Sequence, residues 1–158
     1  CSSWQSSILN FIANEIEIHK EKFIETICLE AAKPYNYSLS EVDRAILTFK
    51  IAAEECKRIN AEVISLDWSP AGKNKEGIVK YFPIGLIAAI SPFNFPLNLA
   101  VHKIAPAIAA GCPILLKPAS KTPISTLLLA QIIDRSALPK GAFSVLPCTR
   151  ETGQQLAE

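Results

Sequence analysis

The sequence has no methionine, no G-x-G-x-x-G run, no C-x-x-C pair and no long block of like charge. Each absence narrows the possibilities. Without the glycine run, the usual glycine-loop cradle for a pyrophosphate is missing. Cysteines at 1, 28, 56, 112 and 148 have no metal-ligand spacing, so a metal centre of the common kinds is excluded and no metal is expected. A net charge of +1 and a pI near 7.8 give no reason to expect nucleic acid or an anionic membrane as partner. The sequence shows no internal repeat, no low-complexity segment and no secretory signal at its start. An odd cysteine count without such a signal points to a reducing, cytoplasmic location. Cys28 and Cys56 fall on apolar helical positions and read as small core residues. The run from Tyr81 to His102 carries no charge and is long enough to suggest a membrane span. Pro83, Pro92, Pro96, Asn94 and Asn98 interrupt it, which argues for broken elements inside a protein. With Cys1 at its head, no methionine, and Glu158 in what reads as a starting helix, the sequence is expected to be a piece of a longer polypeptide.

What is present suits one packed unit. Of the 158 residues, 49% are apolar and 20% charged, enough for one good core. Trp4, Ile8, Phe11, Ile12, Ile16, His19, Phe23 and Ile27 recur at spacings of three and four, predicting one amphipathic helix over 4–32. Pro34 ends it. Ser38 followed by Glu41 reads as a capping box opening a second helix, with a stripe of Val42, Ile46, Phe49, Ala53, Cys56 and Val63. Both helices are expected to cover a sheet. The stretch 66–75 reads as a polar loop, and 77–81 as a short strand pairing outside the main sheet.

The informative stretch is 81–123. Ile84 to Ile90 predicts a buried strand, which stops at Ser91-Pro92-Phe93-Asn94-Phe95-Pro96. A helix over 97–110 follows, closed by Gly111. A second buried strand over 113–116 ends at Lys117-Pro118. Thr122-Pro123 opens another helix with proline in its first turn, and a third strand over 142–146 follows. This is βαβαβ, half of a doubly wound sheet, whose ligands sit outside the carboxyl ends of the strands. Asn94 and Lys117 both fall at such ends. Singly, Asn94 reads as a turn residue and Lys117 as the point where a strand meets water; together they suggest a site.

These motifs resemble the aldehyde dehydrogenase superfamily. I-S-P-F-N-F-P, H-K-I-A-P-A-I-A-A-G and K-P-A-S-K-T-P correspond in order to its P-W-N-F-P, K-x-x-P-A-L-A-x-G-N and K-P-S-E-x-T-P, and E-A-A-K-P at 30–34 to its E-x-G-K-P. The resemblance runs from about Glu30 to Gly153, and the N-F-P-L-N-L continuation is nearer the lactaldehyde and non-phosphorylating glyceraldehyde-3-phosphate branches. It implies a Rossmann-like parallel βαβαβ sheet preceded by two long amphipathic helices, a part of the aldehyde dehydrogenase fold. The whole of 1–158 would then be a partial NAD(P)-binding domain, with covering helices in 4–66, the core in 78–147 and the start of the next helix in 151–158.

It further implies oxidation of a small-molecule aldehyde to an acid through a cysteine thioester, with NAD or NADP as cofactor, in an intact protein that forms a homo-oligomer. Asn94 matches the asparagine whose amide helps hold the oxyanion. Ile90, Ser91, Pro92 and Phe93 match positions lining the adenosine site or its strand–proline turn, and Lys117 the lysine that binds the ribose hydroxyls. Lys103 matches a lysine near the catalytic water path, or is a helix lysine with no further role. Phe95 lines the substrate entry or packs in the core. Ser120 stands where NAD-preferring members carry glutamate, Ala32 where glycine is usual, and Cys148-Thr149-Arg150 replaces a glycine-rich turn. The nucleophilic cysteine, the general base and the oligomerisation segment are expected beyond Glu158, so 1–158 alone is expected to be inactive. The competing readings are a nucleotide-binding module without catalysis and a structural βα domain of a larger complex.

Overall fold

The computed structural model describes residues 2–59 and 61–156. The first apolar stripe forms two helices rather than one: α1 (Ser2–Ile18) and α2 (Lys20–Ala31). His19 between them leaves helical geometry at φ −100°, ψ 20°. Its amide still donates to the Glu15 carbonyl at 3.1 Å, and its carbonyl accepts from Phe23 at 3.3 Å. The interruption is therefore a bend. It lets Ile8, Leu9, Ile12 and Ile16 on one side, and Phe23, Ile24 and Ile27 on the other, all reach the core. Helix α2 closes on Ala32 in the left-handed conformation, φ 49°, ψ 40°, a geometry that favours the glycine found there in the resembled family.

Helix α3 (Tyr35–Glu55) starts directly after Pro34. The expected capping box is thus incorrect: Ser38 and Glu41 lie inside the helix, and both are buried. Their side chains have tertiary partners instead, which is why neither caps its own helix. The Ser38 hydroxyl accepts from Cys28 Sγ at 3.3 Å, and Glu41 reaches another helix. The expected end of this helix also moves, since Val63 belongs to a strand. β1 (Glu62–Ser65) and β2 (Glu76–Val79) pair antiparallel, outside the main sheet. A 3-10 turn over Pro70–Gly72 lies between them.

The main sheet has three parallel strands, β3 (Ile87–Ile90), β4 (Ile114–Lys117) and β5 (Phe143–Val145), in that order. β3 is shorter and more open than its sequence suggests. Pro83 has no donor to give, Gly85 takes φ 110°, and Ile84 is 89% exposed. Only Ala89 of β3 is buried. Crossovers α4 (Asn98–Ala110) and α5 (Ile124–Arg135) join the strands, and Gly111 ends α4 at φ 76°. α3 packs on both α1 and α4, and α1 also reaches α5. Three covering helices, not two, therefore form the layer behind the crossovers. Alternation along β4 puts Ile114 and Leu116 into that core and turns Lys117 to the opposite face. α6 (Arg150–Gln155) returns over that face; residues 157 and 158, expected in the same helix, lie outside the described residues, as does Cys1.

Candidate functional site

Three strand ends converge. Ile90 and Lys117 are partners in the β3–β4 register, and the Ser91 amide donates to the Lys117 carbonyl at 3.1 Å. The Asn94 turn and the Lys117 loop therefore leave the sheet from one rung. Ser91 is buried with its hydroxyl unpartnered, while Pro92, Phe93 and Asn94 are exposed. Thr122 Oγ1 donates to the Phe93 carbonyl at 3.5 Å, and Thr126 Oγ1 to that of Pro96 at 3.3 Å. The Asn94 carbonyl accepts from Lys33 Nζ at 2.7 Å. The same ammonium lies 2.5 Å from Glu41 Oε2 and 4.1 Å above the Phe95 ring. The Arg44 guanidinium is 5.7 Å from that ring.

Glu41 is wholly buried, and its Oε1 accepts from the Leu97 and Asn98 amides at 3.0 and 3.1 Å. Those are donors that a helix N-terminus leaves unsatisfied. The backbone of the turn is thus fixed on several sides, while the Asn94 side-chain amide has no partner among the described residues. A neutral donor on a fixed backbone can stabilise negative charge that develops beside it with little reorganisation.

The second loop starts at Lys117, which is only 7% exposed. Its Nζ donates to the Pro118 carbonyl at 3.3 Å and to Ser120 Oγ at 3.4 Å. Gly153 lies over its stem: a Cβ there would come within 2.6 Å of Lys117 Cδ and Cε. Thr149 caps α6 by accepting from the Thr152 amide at 3.3 Å. The Glu151 amide and the Thr149 hydroxyl hold the Glu151 carboxyl below its ordinary range. A cleft of about 410 Å³ opens between Pro118, Ala119 and Ser120 on one side and Pro147, Cys148 and Thr149 on the other. Glu30 fixes the far end of this loop, accepting from the Ile124 and Ser125 amides at 2.7 and 3.0 Å.

Of the residues singled out from sequence, the structure joins Ile90, Ser91 and Lys117 through the sheet, and Lys117 with Ser120 through a side-chain bond. Of the expected cofactor-binding residues only Ser120 lines the cleft, together with Cys148 and Thr149 of the altered turn; Ile90, Ser91, Pro92 and Phe93 lie on the β3 side of Lys117. Lys103 is half-buried on α4, and Phe95 is half-buried beneath Lys33. Sequence reasoning placed Glu30 and Lys33 in a family motif and Glu41 in a cap but missed their ties to the two loops, and it missed the contact of Gly153. A signal for Glu41 was available: it falls on the buried stripe of α3, between Ser38 and Ala45, where a charge needs a partner. Among the described residues, no cluster of three or more His, Cys, Asp or Glu is placed to hold a metal, and no helix is long and apolar enough to cross a membrane.

Comparison with known proteins gives this arrangement a family. The family model for "Aldehyde dehydrogenase family" matches residues 3–158. A 3-sulfolactaldehyde dehydrogenase of Priestia aryabhattai is 43% identical over 127 residues, covering 80% of this chain and 27% of that protein. The crystal structure of aldehyde dehydrogenase 21 from Physcomitrella patens, in complex with the reaction product succinate, superposes with a TM-score of 0.97 at 45% identity, over 100% of this chain and 33% of that one. The glyceraldehyde-3-phosphate dehydrogenase GapN of Methanocaldococcus jannaschii, complexed with NADP, gives 0.91 at 36% identity, over 99% and 34%. The chain thus spans about a third of the length of these relatives. From its motifs, its parallel sheet and this match over nearly its whole length, the chain belongs to the aldehyde dehydrogenase family.

Proposed function

We propose that residues 1–158 serve within a longer protein that oxidises an aldehyde to a carboxylic acid with NAD or NADP. The observation that carries this reading is the shared rung of Ile90 and Lys117. From it, one loop presents a free asparagine amide and the other a buried lysine beside an open cleft. Lys117, Ser120 and the backbone of Ile90, Ser91, Pro92 and Phe93 would hold the adenosine end of the cofactor. The donor set fits: a buried ammonium, an adjacent hydroxyl, and a cleft walled by prolines and a cysteine. When bound, the cofactor supplies a hydride acceptor. Asn94 would donate to the oxygen of the aldehyde as it becomes an oxyanion. The sulfur nucleophile and the base that activates water would come from outside 1–158, because none of the described cysteines lines the Asn94 turn. Cys56 and Cys112 are buried, and burial pushes the Cys56 thiol up.

The test is direct. The intact protein should reduce NAD⁺ or NADP⁺ only when an aldehyde is present, and residues 1–158 alone should not. Turnover by 1–158 that disappears in Cys112→Ser or Cys148→Ser would place the nucleophile inside the chain and overturn this division of labour. An intact protein that binds NADP⁺ yet turns over no aldehyde would favour a nucleotide-binding module instead.

A further inference from the structure

The Asn94 turn is tied by a charge pair from outside its own βαβ unit. Lys33 follows α2 and Glu41 lies in α3, yet between them they grip the turn at both ends. Lys33 Nζ donates to the carbonyl of Asn94 itself at 2.7 Å. Glu41 Oε1 accepts from Leu97 and Asn98, the residues just past Pro96. Glu41 Oε2 and Lys33 Nζ close the link at 2.5 Å. Glu41 has no exposed side-chain surface and Lys33 has 14%. Buried ion pairs are weak sources of stability, because desolvation offsets their attraction. What this pair does supply is geometry. A carbonyl held by an ammonium fixes the plane of the peptide that follows Asn94. That plane limits the backbone torsion at Asn94 and hence the direction of its side chain. The Phe95 ring beneath the ammonium holds Lys33 from the other side.

We propose that Lys33 and Glu41 are positioning residues that pre-aim the Asn94 amide. The inference rests on the oxyanion reading of Asn94. An oxyanion donor is effective to the extent that its direction is set before charge develops. Loss of the clamp should therefore lower kcat, leave cofactor binding alone, and act only through Asn94.

The test uses the intact protein and four variants: Asn94→Ala, Lys33→Met, Lys33→Met/Glu41→Gln, and the last combined with Asn94→Ala. Lys33→Met leaves a buried carboxylate unpaired and can compromise folding. The double variant removes both charges and retains a glutamine oxygen for the Leu97 and Asn98 amides. Expected for the double variant is a kcat lowered by roughly 10–10²-fold, with an unchanged NADP⁺ dissociation constant. Added to Asn94→Ala, the pair of changes should cost no further rate, because the group they aim is already gone. A double variant with normal kcat, or one whose loss multiplies fully with that of Asn94→Ala, overturns the clamp. A normal rate in Asn94→Ala alone overturns the oxyanion reading, so the two failures are distinguishable.

Discussion

Ser120 and Gly153 set the surroundings of Lys117, the one buried lysine among the described residues. Ser120 Oγ lies 3.4 Å from Lys117 Nζ; a glutamate there would accept from a ribose 2′-hydroxyl and repel a 2′-phosphate. With serine, that repulsion is absent; Lys117 and Lys121 flank it in the sequence, and Arg150 follows Cys148 and Thr149 on the other wall of the cleft, all favouring added negative charge. The intact protein is expected to use NADP⁺ at least as well as NAD⁺, and Ser120→Glu to move the preference toward NAD⁺. The ratio of kcat/KM for the two cofactors measures it, and a large native preference for NAD⁺ would contradict it. Gly153 has a steric role: a methyl group there meets the Lys117 stem at 2.6 Å. The clash falls on the outer part of a flexible side chain, which can move aside at little cost in stability. Gly153→Ala should therefore displace Lys117 and raise the NADP⁺ dissociation constant by about tenfold, with kcat at saturation little changed. Asn94 and Lys117 were legible in the sequence because prolines mark where each strand ends. Gly153 was not, since its contact joins α6 to the end of β4 and no local pattern records that approach.

Among the elements, the covering helices were read in outline and misread at their ends. Periodicity found Ile8, Ile12, Ile16, Phe23 and Ile27 but not the buried Leu9, Ala13 and Ile24, nor the bend at His19, where neither proline nor glycine stands. Ser38 and Glu41 have the spacing of a cap, yet their hydrogen bonds go to other elements, and spacing alone does not report tertiary partners. Ala32 gives a clear stability prediction. It sits at φ 49°, which costs a residue with a Cβ roughly 1–2 kcal/mol, partly offset in glycine by about 0.4–1 kcal/mol of greater unfolded-state freedom. Ala32→Gly should stabilise by about 0.5–1 kcal/mol, read as a rise in the denaturation midpoint with unchanged kcat. A fall in the midpoint would mean that the left-handed cap is not where the strain lies.

At the scale of the molecule, the order strand, helix, strand, helix, strand follows from the sequence because each buried run is closed by glycine or proline. Exposure does not follow. Phe82 and Ile84 look like core residues, yet they are 80% and 89% exposed. An apolar pattern records a need for cover without saying what provides it. The site likewise depends on long-range ties, through Lys33, Glu41 and Glu30, that charge patterning alone did not reveal. Two of these ties, Lys33 and Glu41, converge on the turn that carries Asn94, so the decisive measurement is made there. In the intact protein, Asn94→Ala should lower kcat by on the order of 10²–10³, about 2.7–4 kcal/mol in the barrier. Melting temperature and the NADP⁺ dissociation constant should stay close to those of the parent. A variant that melts earlier but turns over at nearly the parent rate would make Asn94 a turn residue only, and would contradict the role given to it here.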